Sequence, residues 1–234
     1  MHCLFVQQLD PDQHSLVIEG DEAKHAIKVK RLAHGELLRL LDGHGTVATA
    51  RVTDTRGRLG LTIERRELAE RVRPAVHVFS ATPKGPRVEE LVDALVQVGA
   101  ASWSPMQTKL GVVDPRESKL SRLGRISLEA TKQAQRPWMM TMGEKRDLAE
   151  VLRDARQAAA SLVIADATGT GYTPTGAQQI WALIGPEGGF MPEEIRAARE
   201  AGAQIVNLGP HVMRIEVAAP VAAALIIASE RGAG

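Results

Sequence analysis

The chain has 234 residues and a formal net charge of +1, with 44% hydrophobic and 24% charged residues, which excludes a disordered or fibrous class. Only 3% of the residues are aromatic, which disfavours single-strand binding by base stacking but leaves electrostatic or shape-based nucleic-acid binding open. One cysteine and scattered histidines predict neither disulfides nor a metal centre. With no secretion signal and no apolar run of about 18 residues, we expect a soluble cytoplasmic protein without a membrane span.

The first 70 residues carry the pattern of short β-strands. Turn signals at residues 42–45 and 55–57 separate apolar runs in this part of the chain. The runs are residues 15–18, 37–41, 46–52 and 59–63. Their spacing predicts a small β-barrel. A helical stretch at 21–31 is rich in lysine and arginine, and forms either a solvated face or a basic binding surface.

Beyond Pro74 the chain alternates between strand and helix patterns. Residues 67–73 are charged and resemble a linker, which predicts domains at 1–72 and 73–234. Strands are predicted at 76–80, 101–106, 162–166, 180–184 and 204–208, and helices at 88–98, 120–135, 192–201 and 218–230. This alternation predicts an α/β fold with a parallel sheet covered by helices on both faces.

Two loops near the C-terminus end apolar runs in Gly-Pro. The first has the sequence GPEGG at 185–189, and the second begins at Gly209-Pro210. Glycines let main-chain groups approach a ligand, and open α/β sheets bind ligands at the carboxyl ends of their strands. The chain has neither the GxGxxG nor the GxxxxGK[ST] phosphate-binding motif. The two loops therefore predict a pocket built from main chain for a nucleotide-like cofactor.

A basic segment runs from Lys109 to Arg136. It contains seven basic residues against three acidic ones, and Lys84 and Arg87 add to this charge if they lie on the same face. Positive clusters attract phosphate backbones. The segment is therefore either a nucleic-acid surface or a solvated helix face.

Four sequence stretches together resemble one protein family. They are PKGPRVEELV (83–92), EATKQAQRP (129–137), LIGPEGGF (183–190) and LGPHVMRIE (208–216). They resemble the 16S rRNA uridine-N3 methyltransferases, the ribosomal RNA small subunit methyltransferase E family of the SPOUT superfamily. The resemblance implies a PUA-like RNA-binding barrel at 1–72 and a SPOUT domain with a deep C-terminal trefoil knot at 73–234. It further implies S-adenosylmethionine as cofactor, a homodimer, and 16S rRNA or the small ribosomal subunit as partner.

The resemblance also assigns roles to particular residues. The residues implied for cofactor binding are Leu183, Gly185, Glu187, Gly188, Leu208, Gly209, Met213 and Arg214. The residues implied for RNA binding are Lys28, Arg31, Lys84, Arg87, Lys132 and Arg136. Methylation of uracil N3 requires loss of its proton, so Arg214 is expected to orient or stabilise the uracil. Glu216 is expected to orient Arg214 or to take the proton, or else to be a carboxylate at a helix start.

Some positions depart from the family pattern. His211 stands where the family usually has arginine, Ile215 and Val217 stand where it has threonine, and Ala94 and Gln97 replace charged residues. These changes should affect RNA positioning or catalysis more than a cofactor held by main chain. A non-catalytic or altered-specificity RNA-binding relative of the same fold therefore stays an alternative. A metabolic enzyme for a phosphorylated nucleotide is disfavoured, because no phosphate-cradling residues follow GPEGG.

Overall fold

The computed structural model describes residues 2–111 and 117–233 and contains two compact units. The first unit comprises Met1–Arg71 together with Thr131–Met139, and the second comprises Val72–Ala130 and Met140–Gly234. The units thus divide close to the predicted boundary, but the nine residues 131–139 pack with the first unit. In the described part of the chain, no helix has both the length and the apolar character that crossing a membrane requires.

The first unit is an antiparallel sheet with one parallel edge pair and one helix. Its elements are β1 (His2–Phe5), β2 (Ser15–Ile18), α1 (Gly20–Lys28), β3 (Leu37–Leu41), β4 (Thr46–Asp54) and β5 (Leu59–Leu68). The sheet order is β1-β3-β4-β5-β2, and only β1 and β3 run parallel. Alternate residues of the strands, such as Leu38 and Leu40, are fully buried against Ala23 and Ala26 of α1. The apolar runs therefore predicted these strands except for the short β1, although β4 and β5 extend further than predicted, to Asp54 and Leu68.

The segment 131–139 is anchored in the first unit by Trp138. Its indole Nε1 donates to the carbonyl oxygen of Ala69 at 2.9 Å, and the Arg71 guanidinium lies 3.7 Å from the ring centroid. Gly45 donates its N–H to Pro137 O at 2.9 Å and has φ of +99°. A Cβ at Gly45 would lie 2.1 Å from the Trp138 ring, so only glycine fits this contact.

The second unit is a parallel sheet with helices on both faces, as predicted. Its elements are β6 (Ala75–Ser80), α2 (Arg87–Val98), β7 (Ser102–Gln107), α3 (Glu117–Gln133), β8 (Thr141–Met142), β9 (Arg146–Asp147), α4 (Leu148–Gln157), β10 (Ser161–Thr170), β11 (Gln179–Ile184), α5 (Pro192–Glu200), β12 (Gln204–Val206) and α6 (Ile215–Gly232). The sheet order is β12-β10-β11-β6-β7-β8, and β9 also pairs with β7. Only residues 117–130 of α3 belong to this unit, because its last turn lies in the first.

The longer strands β6, β7, β10 and β11 send residues to two separate cores, one on each face of the sheet. Ile180 and Ala182 of β11 pack with α2 and α6, whereas Leu183 packs with α4 and α5. Such alternation within an apolar run is typical of a strand that is covered on both faces. The sequence did not predict β8, β9 or α4, and β10 runs on to Thr170. Near the two Gly-Pro loops, β12 ends at Val206, and α6 begins at Ile215 rather than 218, which places Glu216 in its first turn.

Candidate functional site

The GPEGG loop begins where β11 ends and makes a tight turn before α5. Gly189 donates its N–H to the carbonyl oxygen of Pro186 at 2.8 Å and has φ of +75°. The ring of Phe190 packs so closely on Gly185 that a Cβ there would lie 2.8 Å away. Leu183 is fully buried in the core. Its predicted contribution to a ligand site is therefore limited to main chain, while Glu187 and Gly188 are exposed.

A cavity of about 130 Å³ lies beside this loop. Its walls come from the β6–α2 loop, the residues after β7, the GPEGG loop and the start of α6. They are Ala81, Thr82, Lys84, Leu110, Gly111, Pro186, Glu187, Gly188 and Ile215. Three residues predicted from the sequence, Lys84, Glu187 and Gly188, therefore meet at one cavity. Leu110 and Gly111 were not predicted, because nothing in their local pattern indicates that they face the GPEGG loop.

The second Gly-Pro loop is held by Asn207. This residue donates its N–H to Thr170 O at 2.8 Å and accepts the N–H of Gly209 at its Oδ1 at 2.9 Å. An asparagine that follows a strand often bonds to a main-chain N–H two residues on, so the sequence carried a signal for this turn. Leu208 and Met213 are partly buried against the core of the second unit. The Met213 methyl would lie 3.3 Å from a Cβ at Gly209, so the predicted residues of this loop also lie together.

Arg214 is the N-cap residue of α6. Its backbone is extended, with φ of −70° and ψ of 158°, and its carbonyl oxygen accepts the N–H groups of Val217 and Ala218. The side chain is exposed and makes no cap hydrogen bond to the described residues of α6. Among the described residues it has no ion-pair partner. The guanidinium group is therefore available to a bound molecule.

Glu216 pairs with Arg87 rather than with Arg214. The Oε1 atom of Glu216 lies 3.5 Å from Nε of Arg87, the first residue of α2. The side chain of Glu216 is only 8% exposed, whereas that of Arg87 is 40% exposed. The other carboxylate oxygen, Oε2, is buried and has no hydrogen-bond partner among the described residues. A buried carboxylate oxygen without a donor is costly, so this atom is a candidate acceptor for a substrate proton.

The remaining basic residues predicted to bind RNA lie in the first unit. Lys28 ends α1 and is exposed, as is Arg31, which adopts a left-handed φ of 54°. The Lys132 ammonium lies 5.9 Å from the centroid of the Phe5 ring. Arg136 is partly buried, and this burial lowers the pKa of its guanidinium group.

The basic segment 109–136 is less positive at its surface than its composition suggests. Lys109 pairs with Glu193 at 2.7 Å, and Arg122 pairs with Glu89 at 2.9 Å. Arg116, which contributed to the predicted charge, lies outside the described residues. The hydrogen bond and charge of Glu193 raise the pKa of the Lys109 ammonium. The segment therefore combines exposed cations with cations that are already neutralised within the second unit.

Two family models match the chain. A model described as an RNA methyltransferase domain matches residues 70–227, and one described as an RNA methyltransferase PUA domain matches residues 18–64. The first match covers the parallel sheet and both Gly-Pro loops. The second covers most of the antiparallel sheet.

Similar proteins cover nearly the whole chain. The ribosomal RNA small subunit methyltransferase E of Mycobacterium bovis is 33% identical over 94% of this chain and 88% of its own length. A solved protein of Porphyromonas gingivalis, described as a probable rRNA methyltransferase, is 26% identical with a TM-score of 0.83 and full coverage of both chains. A Legionella pneumophila protein described as a methyltransferase, and solved with bound S-adenosylmethionine, is 25% identical with a TM-score of 0.77 over 97% of both chains.

Proposed function

The chain belongs to the ribosomal RNA small subunit methyltransferase E family, and we propose that it transfers the methyl group of S-adenosylmethionine to N3 of a uridine in 16S ribosomal RNA. The cavity beside the GPEGG loop carries this proposal, because it joins Lys84, Glu187 and Gly188 to the start of α6. Arg214 and Glu216 lie immediately beside that start. In the sequence, Ile215 of the cavity wall thus stands between a cation and a carboxylate.

The residues of the two loops fit the cofactor. Gly188 and Gly209 have no side chain. A Cβ at Gly188 would lie 3.4 Å from Leu110, and a Cβ at Gly209 would lie 3.3 Å from Met213. Main-chain N–H and C=O groups at such positions suit adenine, whose edge offers one donor and several acceptors. The exposed carboxylate of Glu187 can accept from an ammonium or a hydroxyl group. When bound, the cofactor supplies an electrophilic methyl group on a sulfonium.

The roles of Arg214 and Glu216 follow from the charge that develops on the uracil. As the new N3–methyl bond forms and the S–methyl bond breaks, N3 must lose its proton. We assign that proton to the carboxylate of Glu216, whose Oε2 has no hydrogen-bond partner among the described residues. The Arg214 guanidinium stabilises the negative charge on the adjacent uracil oxygens. Arg87 then holds Glu216 in place by the 3.5 Å ion pair, whereas Lys84 contacts RNA phosphate.

We propose that the first unit binds the RNA. We also propose that the protein acts in the cytoplasm, where ribosomal RNA is found. The match of residues 18–64 to an RNA methyltransferase PUA domain supports this assignment. Lys28, Arg31, Lys132 and Arg136 are its proposed phosphate contacts. The trefoil knot of the second unit stays a prediction from the family resemblance.

A homodimer is proposed from the exposed side of α6. Val217 is 47% exposed, and Val221, Ala224 and Leu225 follow at helical spacing as partly exposed residues. An apolar stripe of this kind on a helix is typical of an interface. Light scattering should give twice the chain mass of 25.2 kDa. A mass equal to one chain would contradict the dimer.

The proposed activity is tested on the natural substrate. Mass spectrometry of 16S rRNA from cells with and without the gene should show an N3-methyluridine that is lost with the gene and restored by the wild-type copy. Purified protein should bind S-adenosylmethionine in calorimetry. Unchanged methyluridine with intact cofactor binding would favour the non-catalytic RNA-binding alternative, and no cofactor binding at millimolar ligand would overturn the proposal.

A further inference from the structure

Glu194 connects two loops that line the cavity. It lies in the first turn of α5 and is only 7% exposed. Its Oε1 accepts the main-chain N–H of Lys109 at 3.0 Å, and its Oε2 accepts the N–H of Met191 at 2.8 Å. Lys109 follows β7, and Met191 closes the GPEGG loop. One buried carboxylate therefore holds the ends of both loops. Its contact with Lys109 joins residues that are 85 positions apart in the sequence.

The loop that Glu194 holds contributes one wall of the cavity. Leu110 and Gly111, which follow Lys109 directly, line the cavity opposite Gly188. The Leu110 side chain lies 3.4 Å from the position of a Cβ at Gly188. Gln107 Nε2 donates to Gly111 O at 3.0 Å, which keeps this loop compact. The bond from Lys109 to Glu194 thus sets how closely Leu110 approaches the GPEGG loop.

We propose that Glu194 is a positioning residue that holds Leu110 against the GPEGG loop and thereby sets the affinity for S-adenosylmethionine. This inference rests on the proposed function, because it takes the cofactor to bind at that loop. Both oxygens of an ionised carboxylate accept hydrogen bonds, so one glutamate can serve two N–H groups. The Glu194→Gln substitution leaves the side-chain volume nearly unchanged. One of the two main-chain N–H groups would then face an amide NH₂, which cannot accept its hydrogen bond, so one of the two loops would be released.

The neighbouring Glu193 provides a matched control. Its Oε1 pairs with the Lys109 ammonium at 2.7 Å, and both side chains are well exposed. Glu193→Gln removes the same charge from the same helical turn. It leaves the main-chain bond between Lys109 and Glu194 in place. Any effect of charge near the α5 N-terminus would therefore appear in both variants, whereas loss of the loop connection would appear only in Glu194→Gln.

Calorimetric titration of the full-length protein with S-adenosylmethionine tests the inference. We expect Glu194→Gln to raise Kd about tenfold and Glu193→Gln to change it less than about twofold. At saturating cofactor, kcat for rRNA methylation should stay close to that of the wild type. A lowered kcat at saturation, or an unchanged Kd in Glu194→Gln, would overturn the positioning role.

Leu110→Ala supplies a second variant that does not depend on the folding of Glu194→Gln. Leu110 is 40% exposed, so its truncation leaves the core intact. It should weaken cofactor binding in the wild type and add little in the Glu194→Gln background, as coupled residues do in a double-mutant cycle. Additive effects, or an unchanged Kd in Leu110→Ala alone, would overturn the inference. If the wild-type protein did not bind S-adenosylmethionine, that result would contradict the proposed function as well as this inference.

Discussion

The carboxylate of Glu216 is held at one oxygen and unpartnered at the other. Arg87 lies 3.5 Å from Oε1, while Oε2 is buried without a partner among the described residues. Glu216→Gln keeps the shape of the side chain but cannot accept a proton. We expect kcat for rRNA methylation to fall by about a hundredfold or more, with Kd for S-adenosylmethionine unchanged. Undiminished methylation at saturating substrates would remove Glu216 from the mechanism.

Arg87→Gln separates the two roles that the sequence and the structure suggest for this arginine. If Arg87 holds Glu216, the variant should lower kcat and leave the salt dependence of RNA binding unchanged, because its charge is already paired. Lys84→Gln is the comparison, because Lys84 is exposed at the cavity. This variant should lower the slope of log K against log salt for RNA binding by about one. An equal loss of slope in Arg87→Gln would return Arg87 to phosphate binding.

Gly45 shows how one contact between distant residues selects a glycine. An alanine there would adopt φ near +99° and would also meet the Trp138 ring at 2.1 Å. Gly57 is the matched control, because its φ is +79° and no atom of the described residues lies within 4 Å of the added Cβ. We expect Gly57→Ala to cost about 1–2 kcal/mol of unfolding free energy. Gly45→Ala should cost about 1–3 kcal/mol more, as measured by urea denaturation, and equal losses would contradict the packing of Trp138 on Gly45.

At the scale of elements, the C-terminal turn of α6 is attached to the segment after β10 by Glu230. Its Oε1 accepts the Tyr172 hydroxyl at 2.5 Å and the Thr175 N–H at 2.6 Å, and its Oε2 accepts the Gly176 N–H at 2.9 Å. Burial alone would raise the pKa of Glu230, but these hydrogen bonds outweigh it and lower the pKa below its ordinary value of 4.5. Burial, and then Glu230, raise the pKa of Tyr172.

This attachment predicts how acid affects stability. The folded-state pKa of Glu230 is depressed, so its contribution is complete above pH 4.5 and is lost as the pH falls through the folded pKa. Thermal unfolding between about pH 6 and about pH 3 should therefore show a smaller loss of Tm in Glu230→Gln than in the wild type. Glu200→Gln, at an exposed position, is the control. Parallel Tm curves for Glu230→Gln and wild type would contradict this role.

The elements also show why only part of the fold was predictable. Alternating burial in β3 and β4, and the apolar run of β11, are local patterns that report which faces are covered. The contact of Trp138 with Ala69 and the bond of Glu194 to Lys109 join residues far apart in the sequence. A local period carries no information about such partners. The motif GPEGG indicated the loop correctly. The sequence did not indicate that Glu216 pairs with Arg87, and it placed the start of α6 three residues too late, beyond Glu216.

At the scale of the whole molecule, the two units suggest a division of labour. The second unit carries the cavity and both Gly-Pro loops, and the first carries exposed cations at Lys28 and Arg31. Because the chain as a whole is nearly neutral at +1, its attraction to RNA must come from local clusters rather than from net charge. RNA affinity should therefore depend on a few cations and fall steeply with salt.

The double variant Lys28→Gln/Arg31→Gln tests this division. We expect its RNA affinity to be lower and the slope of log K against log salt to decrease by about two, since each lost phosphate contact removes about one unit. Calorimetry should give an unchanged Kd for S-adenosylmethionine, and kcat at saturating RNA should be retained. Lys24→Gln is the control, because Lys24 already pairs with Asp21 at 3.1 Å on the same helix. An unchanged salt slope in the double variant would place RNA binding elsewhere, and a weakened cofactor affinity would show that the two units do not act separately.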